Sequence, residues 1–153
     1  MKMQIEMIPN ERIAFVRQVG PYGPDNVQAM EKIKKWAEER QLFTGKAVIL
    51  GIPQDNPETT RPEDCRYDAC LVISQEEAVD ENVIDGRLAG GVYAICEISH
   101  TADSIQQAWT DIFEEIHHGA YQVDDSRPAM ERYTADMIQR HACELCIPLT
   151  ALS

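Results

Sequence analysis

The chain has 153 residues, 26 of them acidic and 14 basic, which gives a net charge of -12. A surface this negative repels a phosphate backbone, and no lysine–arginine cluster offers a local exception, so the composition argues against direct nucleic-acid binding. The hydrophobic fraction of 44% indicates a globular domain, and no apolar run approaches the roughly 20 residues that a membrane-spanning helix needs. The N-terminal residues alternate like a strand and lack the apolar stretch of a signal peptide, which favours the cytoplasm.

The first half of the chain predicts strands arranged around one amphipathic helix. Alternation predicts strands over 3–8 and 13–19, and a Gly-Pro-Tyr-Gly-Pro turn then leads into a helix over 25–42. Two β-rich runs, 47–52 and 67–74, predict a pair of buried strands. The apolar stripe of the helix consists of Val27, Met30, Ile33, Trp36 and Ala37, and Gly45 is its expected stop.

A long polar segment, 53–66, separates those two strands and contains three prolines. Unstructured loops of this length are uncommon in compact domains unless they serve a function. The segment therefore has two interpretations of equal weight: a lid over a pocket, or an elaborated hairpin connection.

The second half repeats the order of elements after an acidic link over 75–81. It predicts a strand over 92–98, a helix over 103–118, and strands over 130–134 and 143–149. The helix is expected to be capped by Thr101 or Asp103 and to end at Gly119, and its apolar stripe consists of Ile105, Ala108, Trp109, Ile112, Phe113 and Ile116.

The repeated order predicts a single α+β domain built from two related β-α-β-β modules, about 1–78 and 79–153. When Ala14 is aligned with Ala94, the predicted strands and the turns that follow them occupy equivalent positions in the two halves, which indicates an internal duplication. Each module must bury one sheet face and one helix stripe, so we expect a curved antiparallel sheet with both helices on one side. A cleft between pseudo-symmetric halves is a usual place for a small-molecule site.

The five cysteines, an odd number, are expected to be reduced thiols. Cys143 and Cys146 form a C-x-x-C pair, but strand residues three apart point to opposite faces, so we predict no metal site there. No phosphate-binding or nucleophile-elbow motif is present, and we predict no cofactor. A pair formed by a cysteine with His100 or His141 stays open, because spatial neighbours need not be sequence neighbours.

Glu131 is the residue of greatest functional interest. It follows Pro128 in a predicted strand whose alternation puts Glu131 and Tyr133 on one face, away from Arg132. If that face is the inner one, a carboxylate lies in an apolar space and attracts a cation or a hydrogen-bond donor. The alternative, an exposed glutamate paired with Arg132 or Arg127, is favoured by residue physics alone because glutamates are mostly exposed.

Aromatic side chains are the expected wall of the same space. A cation held against such rings gains roughly 0.5–2 kcal/mol of cation–π attraction. Trp109 and Phe113 lie four apart on one helix face, so core packing also explains them, although a large Trp can pack on the helix and still show one face to a cavity. The candidate ligand-binding residues besides Glu131 are Tyr67, Tyr93, Trp109, Phe113 and Tyr133.

Four motifs and the last strand together resemble one known family, the GyrI-like small-molecule-binding domain, which includes gyrase inhibitory proteins and AraC-type effector-binding domains. The resemblance runs from Arg12 to Leu149 and therefore covers nearly the whole chain. The motifs are Arg12-Ile-Ala-Phe-Val-Arg-Gln-Val-Gly-Pro-Tyr-Gly, Asp55-Asn-Pro-Glu, Cys65-Arg-Tyr-Asp-Ala-Cys, Arg127-Pro-Ala-Met-Glu-Arg-Tyr and the final Cys143-Glu-Leu-Cys-Ile-Pro-Leu.

The resemblance implies a tandem β-α-β-β fold with a central cleft, and it implies that Glu131 is a pocket acid. In multidrug-sensing relatives the corresponding acid and its aromatic neighbours accept lipophilic cations. We therefore expect a stand-alone binder of lipophilic, cationic or aromatic small molecules. Regulators of the family carry a helix-turn-helix domain that this sequence lacks, so their role does not carry over directly.

The resemblance leaves two alternative functions open. Some stand-alone members resemble hydrolases that open cyclopropane-containing toxins, in which case Glu131 is expected to act as general base or to position a water. Gyrase inhibitory proteins instead imply a protein partner, such as gyrase or a regulator. Exposed edge strands are compatible with either a monomer or a homodimer.

Overall fold

The computed structural model describes residues 3–99 and 101–151. It contains nine strands, three helices and a short 3-10 turn at Pro62–Asp64 within that range. The strands are β1 Gln4–Ile8, β2 Glu11–Val19, β3 Val48–Pro53, β4 Arg66–Ile73, β5 Ile84–Leu88, β6 Gly91–Ser99, β7 Tyr121–Val123, β8 Met130–Thr134 and β9 Ala142–Ala151; the helices are α1 Asn26–Glu39, α2 Ala102–His117 and α3 Ala135–Gln139.

One antiparallel sheet connects the two halves, in the order β1-β6-β9-β8-β3-β4-β2-β5, while β7 pairs with β9 alone. The halves meet at the centre of the sheet, where β3 lies beside β8. Each half gives its first strand to the other half, because β1 pairs with β6 and β5 pairs with β2. Each half therefore begins with an additional strand before the β-α-β-β order, β1 in the first half and β5 in the second, and these exchanged strands join the two halves. Strand β1 was predicted from the sequence, whereas β5 was not.

Helices α1 and α2 cover the same face of the sheet, as predicted. Ile33 of α1 packs in one cluster with Cys143, and Ile112 of α2 packs in another with Ile147. Cys143 and Ile147 are four residues apart on β9, so their side chains share a face. The α+β fold with a curved sheet and helices on one side is confirmed.

The opposite face of the sheet curls into a half-barrel. Its inward side chains form a third cluster that includes Ile8 from β1 and Leu88 from β5, although these strands are the two ends of the sheet. Arg132 on β8 also reaches across two strands to Glu6 on β1, at 2.9 Å. The face without helices is thus a concave surface rather than a flat one.

Three elements were absent from the prediction: β5, β7 and α3. Strand β5 contains an Asp-Gly-Arg sequence, whose intrinsic strand propensity is weak. Its pairing with β2 stabilises the extended conformation. Helix α3 is a single turn that Thr134, the last residue of β8, caps. The Thr134 side chain accepts a hydrogen bond from the Met137 N–H. Helix α1 ends at residue 39 rather than 42, because Gln41 adopts a φ of 60° in the role that was expected of Gly45.

The segment 53–66 is a hairpin connection between β3 and β4. The Gln54 N–H donates to the Arg66 carbonyl at 2.9 Å and extends the ladder of the two strands. Asp55 accepts from the backbone N–H and the guanidinium of Arg66 at 2.8–3.0 Å, and the Tyr22 hydroxyl lies 2.8 Å from the Arg66 carbonyl oxygen. These bonds tie the loop to the turn after β2, so the structure favours the elaborated hairpin connection of the two interpretations.

Among the described residues, no helix combines the length and the apolar composition that crossing a membrane requires.

Asp80 fastens the link between the halves to α1. Its carboxylate accepts from Arg40 at 2.8 Å, from the Asn82 N–H at 2.9 Å and from the Trp36 indole N–H at 3.2 Å. The Arg40 bond, together with the other two, lowers the pKa of Asp80 from 3.8 to about 2. The charged form therefore stabilises the fold above pH 3.8, and that stabilisation disappears as the pH falls through about 2.

We expect Asp80→Asn to lower the melting temperature at pH 5–7, with the difference from wild type shrinking between pH 4 and pH 2. Thermal melts followed by circular dichroism across this pH range measure the effect. Asp125→Asn, at an exposed aspartate, is the matched control and should leave the melting temperature unchanged throughout. A difference that persists at pH 2 would contradict the role of the charged form.

Candidate functional site

Strand β8 presents alternate side chains to the two faces of the sheet. Glu131 and Tyr133 point toward the helices, while Met130 and Arg132 point into the concave face. The Tyr133 hydroxyl donates a hydrogen bond to one carboxylate oxygen of Glu131. The predicted alternation is therefore present, and Glu131 lies on the face that the helices cover.

Glu131 opens into a cavity of about 410 Å³ between the sheet and the helices, which is within the size range of small-molecule sites. Tyr67 from β4 and Tyr133 form its aromatic wall, and Glu131 supplies a carboxylate. Both tyrosines are more than 90% buried, and Glu131 is half-buried. The remaining lining residues are Asn26, Val27, Met30 and Lys34 of α1, Ile138 of α3, and the neighbouring His141 and Ala142.

Gly51 sets the position of the Tyr67 ring. It lies on β3 opposite Glu131, and a Cβ placed there would overlap the Tyr67 hydroxyl oxygen and lie 3.2 Å from its Cζ. The Cε of Met30 is 3.6 Å from the same point. Glycine thus lets the ring lie close over the strand beside the carboxylate.

Burial and the negative charge of Glu131 raise the pKa of both tyrosines above the ordinary value of 10. Burial is the larger cause in each case, and the hydrogen bond to Glu131 adds to it for Tyr133. Both hydroxyls therefore keep their protons at neutral pH. The wall of the cavity thus combines neutral aromatic rings and the Glu131 carboxylate with the ammonium group of Lys34.

Neither arginine that was considered as a partner of Glu131 approaches it. Arg132 bonds Glu144 and Glu6, both at 2.9 Å, on the opposite face. Arg127 bonds Asp124 at 3.0 Å and donates to backbone carbonyls. The exposed, ion-paired alternative for Glu131 is wrong, because strand alternation separates it from Arg132 and the chain before β8 leads Arg127 elsewhere.

Three of the six candidate ligand-binding residues do not line this cavity. Tyr93 is fully buried on the concave side, where its hydroxyl donates to the Ala89 carbonyl at 3.0 Å. Trp109 and Phe113 stack on α2 with ring centroids 5.8 Å apart, and Phe113 is 41% exposed. The expectation that all the candidate residues line one cavity is therefore wrong for Tyr93, Trp109 and Phe113. The structure does bring together Glu131, Tyr133 and Tyr67.

The contribution of α1 to the cavity was missed. Asn26, Val27, Met30 and Lys34 have the i, i+1, i+4, i+8 spacing of one helix face, and part of that face was assigned to the core stripe. Val27 is 55% exposed and Met30 half-buried, so the N-terminal turns of the stripe face the cavity instead. His141 was considered only as a possible partner of a cysteine, and no sequence signal pointed to Ile138, because the single-turn α3 that contains it was not predicted.

The cysteines do not contribute a nucleophile to the cavity. All five are buried free thiols, and Cys143 and Cys146 lie on opposite faces of β9. Burial, followed by the charge of Glu131, raises the pKa of Cys143 to about 12. His141 lines the cavity, whereas His100 lies outside the described residues. Within residues 3–99 and 101–151, no group of three or more metal-binding side chains is close enough to hold an ion.

Solved structures with the same fold include the C-terminal domain of EcmrR, a ligand complex and a hydrolase. The C-terminal domain of EcmrR matches with a TM-score of 0.73 at 12% identity, over 99% of this chain and 98% of that one. SAV2435 bound to tetraphenylphosphonium matches with a TM-score of 0.59 at 15% identity, over 98% and 94%. A hydrolase from Listeria innocua matches with a TM-score of 0.67 at 13% identity, over 97% and 92%.

Two relatives illustrate the likeness in sequence. YosT, an SPbeta prophage-derived protein of Bacillus subtilis (strain 168), is 41% identical over 150 residues, which are 97% of this chain and 99% of YosT. DNA gyrase inhibitor 2 of Dickeya dadantii (strain 3937) is 24% identical over 124 residues, 79% of this chain and 78% of that protein. The profile of the GyrI-like small molecule binding domain matches residues 1–150. The chain therefore belongs to the GyrI-like family of small-molecule-binding domains.

Proposed function

We propose that this chain binds lipophilic, singly charged cations in the cavity beside Glu131. The observation that carries the proposal is a carboxylate at the wall of a cavity to which no described side chain supplies an ion pair. Such a carboxylate loses hydration on burial and regains favourable interaction from a cation that enters beside it.

The tyrosine rings favour a lipophilic cation over a hydrated one. Tyr67 and Tyr133 offer ring surface next to the charge, and Met30, Val27 and Ile138 complete the apolar part of the wall. The Lys34 side chain adds one positive charge to the lining and repels cations in proportion to their charge, so a singly charged ligand is favoured over one with several positive charges. The complex of SAV2435, a protein of the same fold, with tetraphenylphosphonium supports this ligand class.

The hydrogen bond between Tyr133 and Glu131 supports recognition of a cation as the first proposal. The Tyr133 hydroxyl donates to one oxygen of the Glu131 carboxylate. The carboxylate is thereby held in one orientation, which suits recognition of a bound cation.

Titration with tetraphenylphosphonium by isothermal calorimetry tests the proposal. We expect Glu131→Gln to weaken binding about fivefold to tenfold, because one favourable charge contact in a partly buried site contributes about 1–1.4 kcal/mol after desolvation. For triphenylphosphine oxide, a neutral probe of similar shape, the affinity of Glu131→Gln should be less than twofold below that of the wild type.

Glu38→Gln is the matched control, since it removes the same charge from an exposed position on α1. It should leave the affinity for both probes within twofold of wild type. Equal affinity of wild type and Glu131→Gln for tetraphenylphosphonium, or an absence of saturable binding to the wild type, would refute the proposal.

A further inference from the structure

A second cavity lies on the concave face of the half-barrel, behind the strands that carry the first one. Its volume is about 330 Å³, which is within the lower range of small-molecule sites. The floor consists of apolar side chains from five strands: Ile8, Val48, Leu50, Val72, Leu88 and Met130. Four of the six are more than 90% buried, and Val48 and Val72 are half-buried at the surface of the cavity.

Strand β8 lies between the two cavities and contributes side chains to both. On β8, Glu131 and Tyr133 face the first cavity, whereas Met130 and Arg132 face the second. Because side chains alternate along a strand, the two sets of lining residues have no member in common. A ligand can therefore occupy the second cavity without displacing any residue of the first.

Carboxylates outnumber cations at the rim of the second cavity. Arg132 is shared by two of them, at 2.9 Å from Glu6 and 2.9 Å from Glu144. Glu11 is the third, and no ion pair joins it to a side chain in the described part of the chain. Three carboxylates against one guanidinium leave an excess of negative charge above an apolar floor.

We propose that this cavity is a second binding site, specific for a small aromatic or aliphatic primary ammonium ion. The apolar part of such a ligand covers Val48 and Val72, and its ammonium group reaches the rim beside Glu11. A flat ligand of about a dozen non-hydrogen atoms suits the smaller volume. The site is separate from the cavity beside Glu131 and does not depend on the function proposed for that cavity.

Methyl-labelled protein and 1-naphthylmethylammonium provide the test. Nuclear magnetic resonance reads the two cavities independently, since the methyl groups of Val48, Leu50 and Val72 report on the second, and those of Val27 and Met30 report on the first. We expect saturable shifts of the second set in the wild-type protein. The neutral analogue 1-naphthylmethanol should bind that set at least threefold more weakly.

Glu11→Gln should weaken binding of the ammonium ion at the second set about threefold and leave its affinity for the alcohol unchanged. Glu38→Gln removes the same charge at an exposed position on α1 and should change the affinity for neither the ammonium ion nor the alcohol. The proposal is overturned if the second set shows no saturable shift, if the alcohol binds as tightly as the ammonium ion, or if Glu11→Gln has no effect. None of these results bears on tetraphenylphosphonium binding beside Glu131.

Discussion

Gly51→Ala is expected to weaken tetraphenylphosphonium binding by about 5- to 150-fold. The added Cβ would overlap the Tyr67 hydroxyl oxygen, so the ring must swing off the strand and into the first cavity. A ligand then has to push the ring back against the new methyl group, and overpacking of this kind costs about 1–3 kcal/mol, which appears as lost affinity. Calorimetric titration of the folded variant measures the effect.

A second substitution separates the ring displacement from any general loss of folding. In Gly51→Ala/Tyr67→Phe the overlapping hydroxyl is absent, and only the 3.2 Å contact with Cζ remains, which a shift of a few tenths of an ångström relieves. The double variant should therefore recover most of the affinity that the single variant loses. Tyr67→Phe alone should bind close to wild type, because the ring face is unchanged.

Gly45→Ala serves as the glycine control, since a Cβ at that position meets no atom within 4 Å. It should bind tetraphenylphosphonium as the wild type does. Unchanged binding in Gly51→Ala would show that the Tyr67 ring does not shape the cavity. Failure of the double variant to recover would show that the loss has a cause other than the hydroxyl overlap.

The sequence predicted the parts of this molecule that follow from local periodicity. Alternation on β8 placed Glu131 and Tyr133 together, and the 3.6-residue pattern predicted both long helices to within a few residues. Thr101, one of two expected caps, does accept from the Ser104 N–H at 3.2 Å. These features depend on neighbours close in the chain, which a single sequence reveals.

The composition of the cavity wall could not be predicted, because it depends on which face of each strand the helices cover. Tyr93 and Tyr67 have similar β-rich surroundings, yet Tyr93 faces the concave side and Tyr67 faces α1. Alternation says only that neighbouring residues face opposite ways. The exchange of β1 and β5 between halves was equally hidden, since pairing partners far apart in sequence leave no local signal.

The Arg127 side chain illustrates the same limit within a recognised motif. It was considered as an ion-pair partner of Glu131, but it binds the ends of β6 and β9 instead. Its guanidinium donates to the carbonyls of Gly90 at 3.2 Å and Leu149 at 2.8 Å, and lies 4.8 Å from the centre of the Tyr93 ring. The motif residue four positions before Glu131 therefore has a structural role in the second half of the chain.

Arg127→Met is expected to destabilise the fold by about 2–4 kcal/mol. The substitution keeps an apolar stem but leaves the carbonyls of Gly90 and Leu149 without the guanidinium donor, and it removes the cation from the Tyr93 ring. The Asp124 carboxylate also loses its bond to Arg127 and, among the described residues, keeps only the donors of Ser126. The Arg127 side chain is only 12% exposed, so water replaces few of these bonds. For a domain of this size the melting temperature should fall by about 4–16 °C.

Arg140→Met is the matched control, because Arg140 bonds the carboxylates of Glu97 and Asp136, as Arg127 bonds that of Asp124, but the Arg140 side chain is 49% exposed. Exposed ion pairs contribute about 0–1 kcal/mol, so this variant should melt within a few degrees of wild type. The difference in melting temperature between the two variants separates the effect of burial and carbonyl hydrogen bonding from the effect of losing a charge. Urea-induced unfolding measures the free energy of unfolding of both variants. If Arg127→Met and Arg140→Met lowered it by the same small amount, the carbonyl bonds of Arg127 would not stabilise the fold.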